Sequence, residues 1–283
     1  MLVNLNDVLR PAAEQGYAVG LFNAVNMEMA RGIIAAAQEM RSPVIIGTAQ
    51  ILLPYGPLNI VADLLLTMAK SASVPVVVHF DHGLDKDTCQ KAIELGFSSV
   101  MYDCSAKSYE KNISNVKELI ELAHKAGVSV EAELGHVGNA SDEGKTGEEA
   151  AMACYTQPEQ ARDYVCQTGV DALAVAVGTA HGAYKSKPCL DFDRIKKIRD
   201  MTGIPLVLHG GSGLSDEDFR RAIRCGISKI NIFTDINMAG VSGIKNGLKD
   251  GKNTLTELIP CEIEAIKLEV MKKMALFGSC GKA

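Results

Sequence analysis

Three apolar segments of the sequence each lead into a histidine that is followed by glycine, at His82, His181 and His209. The run before the first of them, residues 76–80, is rich in valine, which is typical of a buried parallel strand. Three neutral imidazoles leave a zinc ion its full double charge and an open coordination position, as a catalytic Lewis acid requires. The sequence therefore predicts a metal site at these histidines, with Asp81 directly beside it.

The other three histidines are interpreted differently. His79 lies two residues before Asp81 and faces the same side of the strand, so we expect it to be buried and hydrogen bonded rather than a metal ligand. His124 lies late in a predicted amphipathic helix, where we expect it to be solvated. His136 falls in a long loop, and the sequence leaves both roles open for it.

Two later segments have the composition of a phosphate-binding site. The glycine-rich run 210–213 follows an apolar strand and leads into a helix, whose free N–H groups attract anions. The run 231–235 follows at the next strand, and barrels often bind phosphate at this point. A plain tight turn is the alternative interpretation of the glycines. Lys185 offers a positive charge just after His181, although a lone lysine is more often solvated.

Strands and helices alternate through most of the chain. The predicted strands are residues 18–23, 44–47, 74–81, 98–103, 128–134, 172–177, 205–209 and 229–234. The predicted helices are residues 27–40, 58–71, 86–95, 109–126, 158–168, 191–201, 216–225, 235–249 and 262–276, with Pro260 as the boundary before the last. This order predicts an α/β fold, a (β/α)8 TIM barrel with extra C-terminal helices, as one domain over residues 1–283. A doubly wound sheet is the rival, but G-x-G-x-x-G is absent after the first strand.

Polar residues of the predicted strands fall at the carboxyl ends, where TIM barrels carry their active sites. These residues are Asn23, Asp81, His82, Asp103, Glu131, Glu133, His209 and Asn231. Because the carboxyl ends of parallel strands meet at one rim, the pattern predicts an active site there. The segment 135–150 is long for the loop after a strand, and long loops are commonly functional lids.

The composition argues against several classes of function. The chain has 283 residues, a formal net charge of −5 and a pI of about 5.7. This acidic balance and the lack of tryptophan disfavour nucleic-acid binding, and no apolar run approaches the length of a membrane span. The eight cysteines form no C-x-x-C pair, and the N-terminus has no signal-peptide pattern. We therefore expect a cytoplasmic protein with reduced cysteines and no membrane or nucleic-acid partner.

Motifs along nearly the whole chain resemble the zinc-dependent class II ketose-bisphosphate aldolases, the family of the fructose- and tagatose-bisphosphate aldolases. The motifs are residues 22–26, 42–46, 81–83, 102–105, 130–135, 178–182, 208–213 and 231–235. Three positions depart from the family pattern. Asn139-Ala140 stands where a glycine pair is more frequent, Cys104 replaces a frequent glycine, and Ala49 stands where many fructose-type members have a substrate-contacting serine.

The resemblance implies a role for each motif. The implied ligands of the catalytic zinc are His82, His181 and His209, and those of a second or displaced metal are Asp103 and Glu133. Asp81 would be the catalytic acid/base, and Asp142 or Glu143, on the loop after the fifth strand, would be the second one. The residues that match the family's site for dihydroxyacetone phosphate are Gly182, Gly210, Gly211, Ser212, Asn231 and Thr234. We also expect Asn23, Lys185 and Asp235 to contribute to substrate binding. A monovalent cation is a further cofactor that the resemblance allows.

The implied activity is reversible cleavage of a ketose 1,6-bisphosphate into dihydroxyacetone phosphate and glyceraldehyde 3-phosphate by a homo-oligomer, either a dimer or a tetramer. Fructose and tagatose bisphosphates differ only at C4, so the sequence leaves both open as substrates. Another ketose phosphate of deoxy-sugar catabolism and a TIM-barrel zinc hydrolase are the alternatives. A non-catalytic sugar-phosphate sensor is a third hypothesis, and the carboxylate of Asp81 beside the metal histidines argues against it.

Overall fold

The structure, a computed structural model, describes residues 1–138, 154–180, 182 and 188–283. Its strands are β1 (Leu2–Val3), β2 (Val19–Asn23), β3 (Val44–Ala49), β4 (Val76–Gly83), β5 (Ser99–Tyr102), β6 (Ser129–Leu134), β7 (Ala172–Val175), β8 (Leu206–Leu208) and β9 (Ile227–Ile232). The helices described are α1 (Leu5–Gln15), α2 (Met27–Met40), α3 (Leu58–Ser71), α4 (Lys86–Leu95), α5 (Tyr109–Lys125), α6 (Pro158–Thr168), α7 (Phe192–Thr202), α8 (Asp216–Cys225), α9 (Thr234–Lys249) and α10 (Leu255–Phe277). A short 3-10 helix, Gln50–Leu52, follows β3.

Strands β2 to β9 form a closed parallel barrel. Neighbouring strands pair in the order β4-β3-β2-β9-β8-β7-β6-β5, and β5 pairs back onto β4. Strand β1 joins the amino end of β4 through the pair Leu2 and Val76. Helices α9 and α10 pack on each other after the last strand, and α10 also packs on α2. The predicted (β/α)8 barrel with extra C-terminal helices is therefore confirmed.

The alternation of side chains along each strand separates two apolar cores. In β2, Phe22 packs into the large core between the barrel and its helices, whereas Leu21 belongs to a smaller core inside the barrel. In β9, Ile230 likewise joins the outer core. The residues on either side of it, Lys229 and Asn231, therefore face the barrel interior, where the functional site begins.

Helix α1, which the sequence pattern does not predict, packs against the apolar residues inside the barrel. Asn4 and Asp7 form a capping box at its start. Leu5 and Leu9 are buried and belong to the same core as inward-facing strand residues such as Leu21. Since Leu5 also donates its N–H to a serine at the start of β6, this helix covers the amino end of the barrel. The polar residues of the strands therefore lie at the opposite, carboxyl end of the barrel.

The predicted boundary at Pro260 is wrong, because α10 begins at Leu255 and continues through the proline. Thr254 and Glu257 form a capping box that starts the helix earlier. A proline costs a helix one backbone hydrogen bond and some strain, and packing against α9 outweighs this cost. At Gly243 of α9 an added Cβ would lie 2.3 Å from a backbone oxygen of α10. No helix in the described part of the chain has both the length and the apolar character needed to span a membrane.

Candidate active site

The carboxyl ends of the barrel strands bring the predicted polar residues into one cluster. The members described are Asn23, Asp81, His82, Asp103, Glu131, Glu133, His209 and Asn231. Most of them are buried, while the side chains of His82 and Asp103 are 18% and 16% exposed. Four predicted residues, namely Asp142, Glu143, His181 and Lys185, lie outside the described residues.

Strand β4 presents both Asp81 and His82 to the site through a local irregularity. Consecutive residues of a regular strand point to opposite faces, so only one of the two would face the barrel interior. The register with β5 shifts between Phe80 and Gly83, and His82 has a φ of 44°, which is uncommon for any residue except glycine. An added Cβ at Gly83 would lie 2.2 Å from the Cys89 Sγ, so the irregular segment requires glycine at its end.

Two amide groups hold the carboxylate of Asp81. Asn23 Nδ2 donates to its Oδ2 at 2.8 Å, and Asn231 Nδ2 donates to its Oδ1 at 3.1 Å. Burial by itself would raise the pKa of Asp81, but the positive charges of His82 and Lys229 hold the pKa well below its usual range. Asp81 is therefore an ionised carboxylate with a fixed direction, which suits a proton acceptor.

Both described histidines of the predicted metal site have carboxylate partners. His82 Nδ1 lies 2.8 Å from Asp103 Oδ2. His209 Nδ1 lies 2.9 Å from Glu133 Oε2, and its Nε2 lies 2.9 Å from Glu131 Oε1. Burial opposes the charged form of His209, but the hydrogen bonds with Glu131 and Glu133 raise its pKa to about 10. These carboxylates fix the direction of both rings, as partners of metal-binding histidines commonly do.

The two imidazoles approach closely enough to share an ion. The ring centroids of His82 and His209 are 4.5 Å apart. Ligand atoms of Asp81, His82 and His209 all lie within 4.8 Å of one another, and so do those of His82, Asp103 and Glu133. Zinc binds imidazole nitrogen and carboxylate oxygen, so both groups have suitable donors. The described residues thus include two candidate metal-binding groups that share His82.

The glycine-rich segment after β8 packs against the beginning of α9. Gly210 has a φ of 64°, and an added Cβ there would lie 2.3 Å from a backbone oxygen. The N–H of Gly211 donates to a backbone oxygen of β9 at 3.3 Å. Ser212 Oγ accepts hydrogen bonds from the N–H groups of Phe233 at 3.3 Å and Asp235 at 3.4 Å. The segment is therefore joined to the amino end of α9, where the sequence predicts a phosphate site.

The remaining predicted substrate residues are more widely placed. Thr234 is the first residue of α9. The carboxylate of Asp235 pairs with Lys273 of α10, with 2.6 Å between Oδ2 and Nζ. Gly182 is exposed, has a φ of 93°, and stands between residues outside the described ranges. The structure thus connects Asp235 to the C-terminal helix rather than to the carboxylate cluster.

Lys229 is a charged residue of the site that the sequence analysis does not identify, and Glu131 is predicted there only as one of the polar residues at the rim. Both are fully buried inside the barrel, where Lys229 Nζ lies 2.8 Å from Glu131 Oε2. Lys229 alternates with Asn231 along an apolar strand and so faces the same interior, and a buried charge requires a partner. That spacing is the signal from which Lys229 could have been identified.

The three other histidines have different surroundings. His79 is buried, and its Nδ1 lies 2.8 Å from Ser99 Oγ, as expected from the sequence. The side chain of His124 is 43% exposed, but its Nε2 also pairs with Asp171 at 2.8 Å, so solvation is only part of its environment. His136 is exposed, with its Nδ1 3.2 Å from Ser105 Oγ.

Comparison with known proteins gives consistent matches over the full length. The sequence model of class II fructose-bisphosphate aldolase matches residues 3–282. The chain is 42% identical to a fructose-bisphosphate aldolase of Geobacillus stearothermophilus, covering 100% of this chain and 99% of that one. It is 41% identical to the uncharacterized protein YdjI of Escherichia coli K12, covering 100% of both. The crystal structure of the YdjI aldolase superposes with a TM-score of 0.90 at 38% identity, again covering 100% of both chains.

Proposed function

The chain belongs to the class II fructose-bisphosphate aldolase family, and we propose that it is a zinc-dependent enzyme that reversibly cleaves fructose or tagatose 1,6-bisphosphate. The products would be dihydroxyacetone phosphate and glyceraldehyde 3-phosphate. The observation that carries this proposal is the ionised carboxylate of Asp81, held by two amides beside two closely spaced imidazoles. Cleavage of the C3–C4 bond of a ketose requires a base and stabilisation of negative charge at the same place.

Asp81 is the group we assign to the C4 hydroxyl. An ionised carboxylate can accept that proton as the bond between C3 and C4 breaks. The amides of Asn23 and Asn231 keep the carboxylate in one direction, so little reorganisation is needed when the substrate arrives. In the reverse direction, the protonated Asp81 returns the proton to the new hydroxyl. We assign the second proton transfer, at the carbon, to Asp142 or Glu143.

The donors of His82 and His209 fit a zinc ion. We propose His181 as the third ligand, with Asp103 and Glu133 available for a second or displaced position. The ion would supply a double positive charge that stabilises the negative charge developing on the substrate's ketone oxygen. With the ion at one ring nitrogen of His209, the carboxylate at the other nitrogen, from Glu131 or Glu133, would orient the ring. We place the phosphate of the dihydroxyacetone phosphate half at the segment 210–213 and the start of α9.

Side-by-side kinetics on fructose and tagatose 1,6-bisphosphates, with zinc supplied, test the substrate. Formation of glyceraldehyde 3-phosphate from either compound supports the proposal, and the ratio of the two kcat/KM values identifies the preferred C4 configuration. If neither compound is cleaved, the assigned substrate is wrong. Release of inorganic phosphate without carbon–carbon cleavage would instead indicate a hydrolase.

The variant Asp81→Ala separates catalysis from binding. We expect its kcat to fall by about 10²-fold or more, the usual range for a general base, while zinc content stays near that of the wild type. A protein that only senses sugar phosphates would bind its ligand equally well in both forms. Matched zinc analysis of the variant and the wild type is the control, because loss of the metal would also abolish turnover.

We also propose that the protein is a cytoplasmic homo-oligomer. Met238, Val241 and Leu248 lie along one side of α9 and are 65%, 48% and 49% exposed. A second copy of the chain would cover such an apolar stripe. All eight cysteines are free thiols, which agrees with a reducing compartment. Light scattering coupled to size exclusion gives the mass, and a monomer at micromolar concentration would contradict the proposal.

A further inference from the structure

Lys229 is a fully buried lysine in the middle of the barrel interior, and the proton transfers proposed above do not use it. Its ammonium group lies 2.8 Å from Glu131 Oε2 and 2.8 Å from Asn231 Oδ1. Removing such a charge from water is unfavourable unless partners compensate it. Both partners belong to the polar cluster at the carboxyl end of the barrel. Lys229 therefore connects Glu131 to Asn231 within that cluster.

The contact with Lys229 anchors the oxygen end of the Asn231 amide. An ammonium group has only donors, so it holds Asn231 by Oδ1, at 2.8 Å. The Nδ2 group is then directed at the carboxylate, 3.1 Å from Asp81 Oδ1. With the amide rotated by a half turn, its oxygen would face the Asp81 carboxylate, and two acceptors would repel each other. Lys229 and Asp81 therefore favour the same orientation, and Lys229 fixes the position of the amide within it.

The contact with Glu131 connects Lys229 to the candidate metal site as well. Glu131 Oε2 lies against Lys229, and its other oxygen, Oε1, lies 2.9 Å from His209 Nε2. The carboxylate is thereby fixed at both oxygens. His209 thus has Glu131 at its Nε2 and Glu133 at its Nδ1, so Lys229 lies one residue away from a histidine of the candidate metal group.

We propose that Lys229 is a positioning residue that fixes the amide of Asn231 toward Asp81, and with it the direction of the base. This inference rests on the aldolase function proposed above. Lys229 contacts neither substrate nor metal in this account. Its effect reaches the reaction through Asn231, and the two residues should therefore act as one unit.

A double-mutant cycle with Lys229→Met and Asn231→Ala measures that dependence. We expect Lys229→Met to lower kcat by about 10- to 100-fold, as loss of an orienting partner commonly does, with a much smaller change in KM. The double variant should be slower than Asn231→Ala alone by far less than the factor that Lys229→Met causes in the wild type, because the amide through which Lys229 acts on Asp81 is gone. Losses that multiply, or full activity of Lys229→Met, would overturn the proposal.

Removal of Lys229 leaves the buried Glu131 with His209 as its one remaining cationic partner among those described above, a loss that can destabilise the fold. The same cycle in a Glu131→Gln background avoids this charge, and the same non-additivity is expected there. Ser42→Ala is the matched control for loss of a buried polar contact. Ser42 is fully buried, donates to Ser279 Oγ at 2.7 Å and precedes β3 at the opposite end of the barrel. Its kcat should equal that of the wild type.

A crystal structure of Lys229→Met tests the inference without reference to turnover. We expect the amide of Asn231, no longer held at its Oδ1, to shift so that its Nδ2 moves out of hydrogen-bond distance of Asp81. If the hydrogen bond between these two residues keeps its wild-type length in a well-ordered variant, the inference fails even when the enzyme is an aldolase. A wild-type protein that cleaves neither bisphosphate would refute the proposed function, whereas the position of the amide would still decide the role of Lys229.

Discussion

The rings of His82 and His209 lie 4.5 Å apart at an angle of 61°, although they come from strands on different sides of the barrel opening. Each ring has a carboxylate partner at hydrogen-bond distance, Asp103 for the first and Glu133 for the second. Two imidazoles, one buried and one partly buried, gain little from such proximity by themselves. The arrangement is understandable as a pair of ligands held ready for a cation.

Removal of the metal should abolish activity without unfolding the barrel. Because the cores are apolar and His82 and His209 each pair with carboxylates, we expect the fold to form without the metal. After chelation we expect loss of turnover, an unchanged far-UV circular dichroism spectrum, and recovery of activity when zinc is returned. Added zinc should raise Tm, since it binds the folded state preferentially. Unfolding on chelation would instead identify a structural zinc site.

Asn23→Ala should reduce kcat by about 10-fold or more while zinc content is unchanged. The variant removes the shorter of the two hydrogen bonds to Asp81, 2.8 Å long, and leaves the carboxylate less well directed. Steady-state kinetics and metal analysis on the same preparation measure both quantities. Asn6→Ala is the control, because its Nδ2 donates to Asp171, a residue remote from the cluster. Equal losses in the two variants would contradict a specific role of Asn23.

Gly47→Ala should destabilise the protein by about 1–3 kcal/mol or more. An added Cβ would lie 2.4 Å from the backbone oxygen of His79 in the neighbouring strand, which cannot move without disrupting the barrel. Denaturant unfolding gives the change in free energy. Gly138→Ala is the matched control, since an added Cβ there meets no atom of the described residues within 4 Å, and we expect a change within about 0.5 kcal/mol. Similar stability of both variants would argue against the packing described at β3.

Leu9→Ala in α1 should lower the free energy of unfolding by about 2–5 kcal/mol, the range for buried leucines. Leu9 is 1% exposed and packs with residues inside the barrel. Ile60→Ala, at a position that is 59% exposed, is the control and should have little effect. Denaturant titrations of both variants provide the comparison. A negligible loss for Leu9→Ala would show that α1 does not cover the barrel as described.

Much of the barrel follows from local patterns in the sequence. The alternation of β-branched runs with amphipathic helices identifies β2 to β9, because each strand and helix buries a regular face. Helix α1 escapes this reasoning, since it contains Pro11 and packs against residues that are distant in the chain. The start of α10 is also missed, because Pro260 suggests a boundary that the capping box at Thr254 and packing against α9 override.

Only some residues of the candidate site can be predicted from the sequence. Residues at strand ends, such as Asp81 and His209, stand out because an apolar strand has no structural need for them. The irregularity that gives His82 its φ of 44° depends on pairing with β5, which no local pattern indicates. Lys229 and Glu131 become meaningful only when β6 and β9 are known to face each other across the interior.

Anomalous diffraction at the zinc absorption edge, from crystals grown with zinc, tests the central claim most directly. We predict one strong peak with Zn–N distances of about 2.0–2.1 Å to His82 and His209, and with His181 as the third histidine. A strong peak among His79, Asp81 and Glu131 instead, or no peak within bonding distance of His82 and His209, would contradict the account.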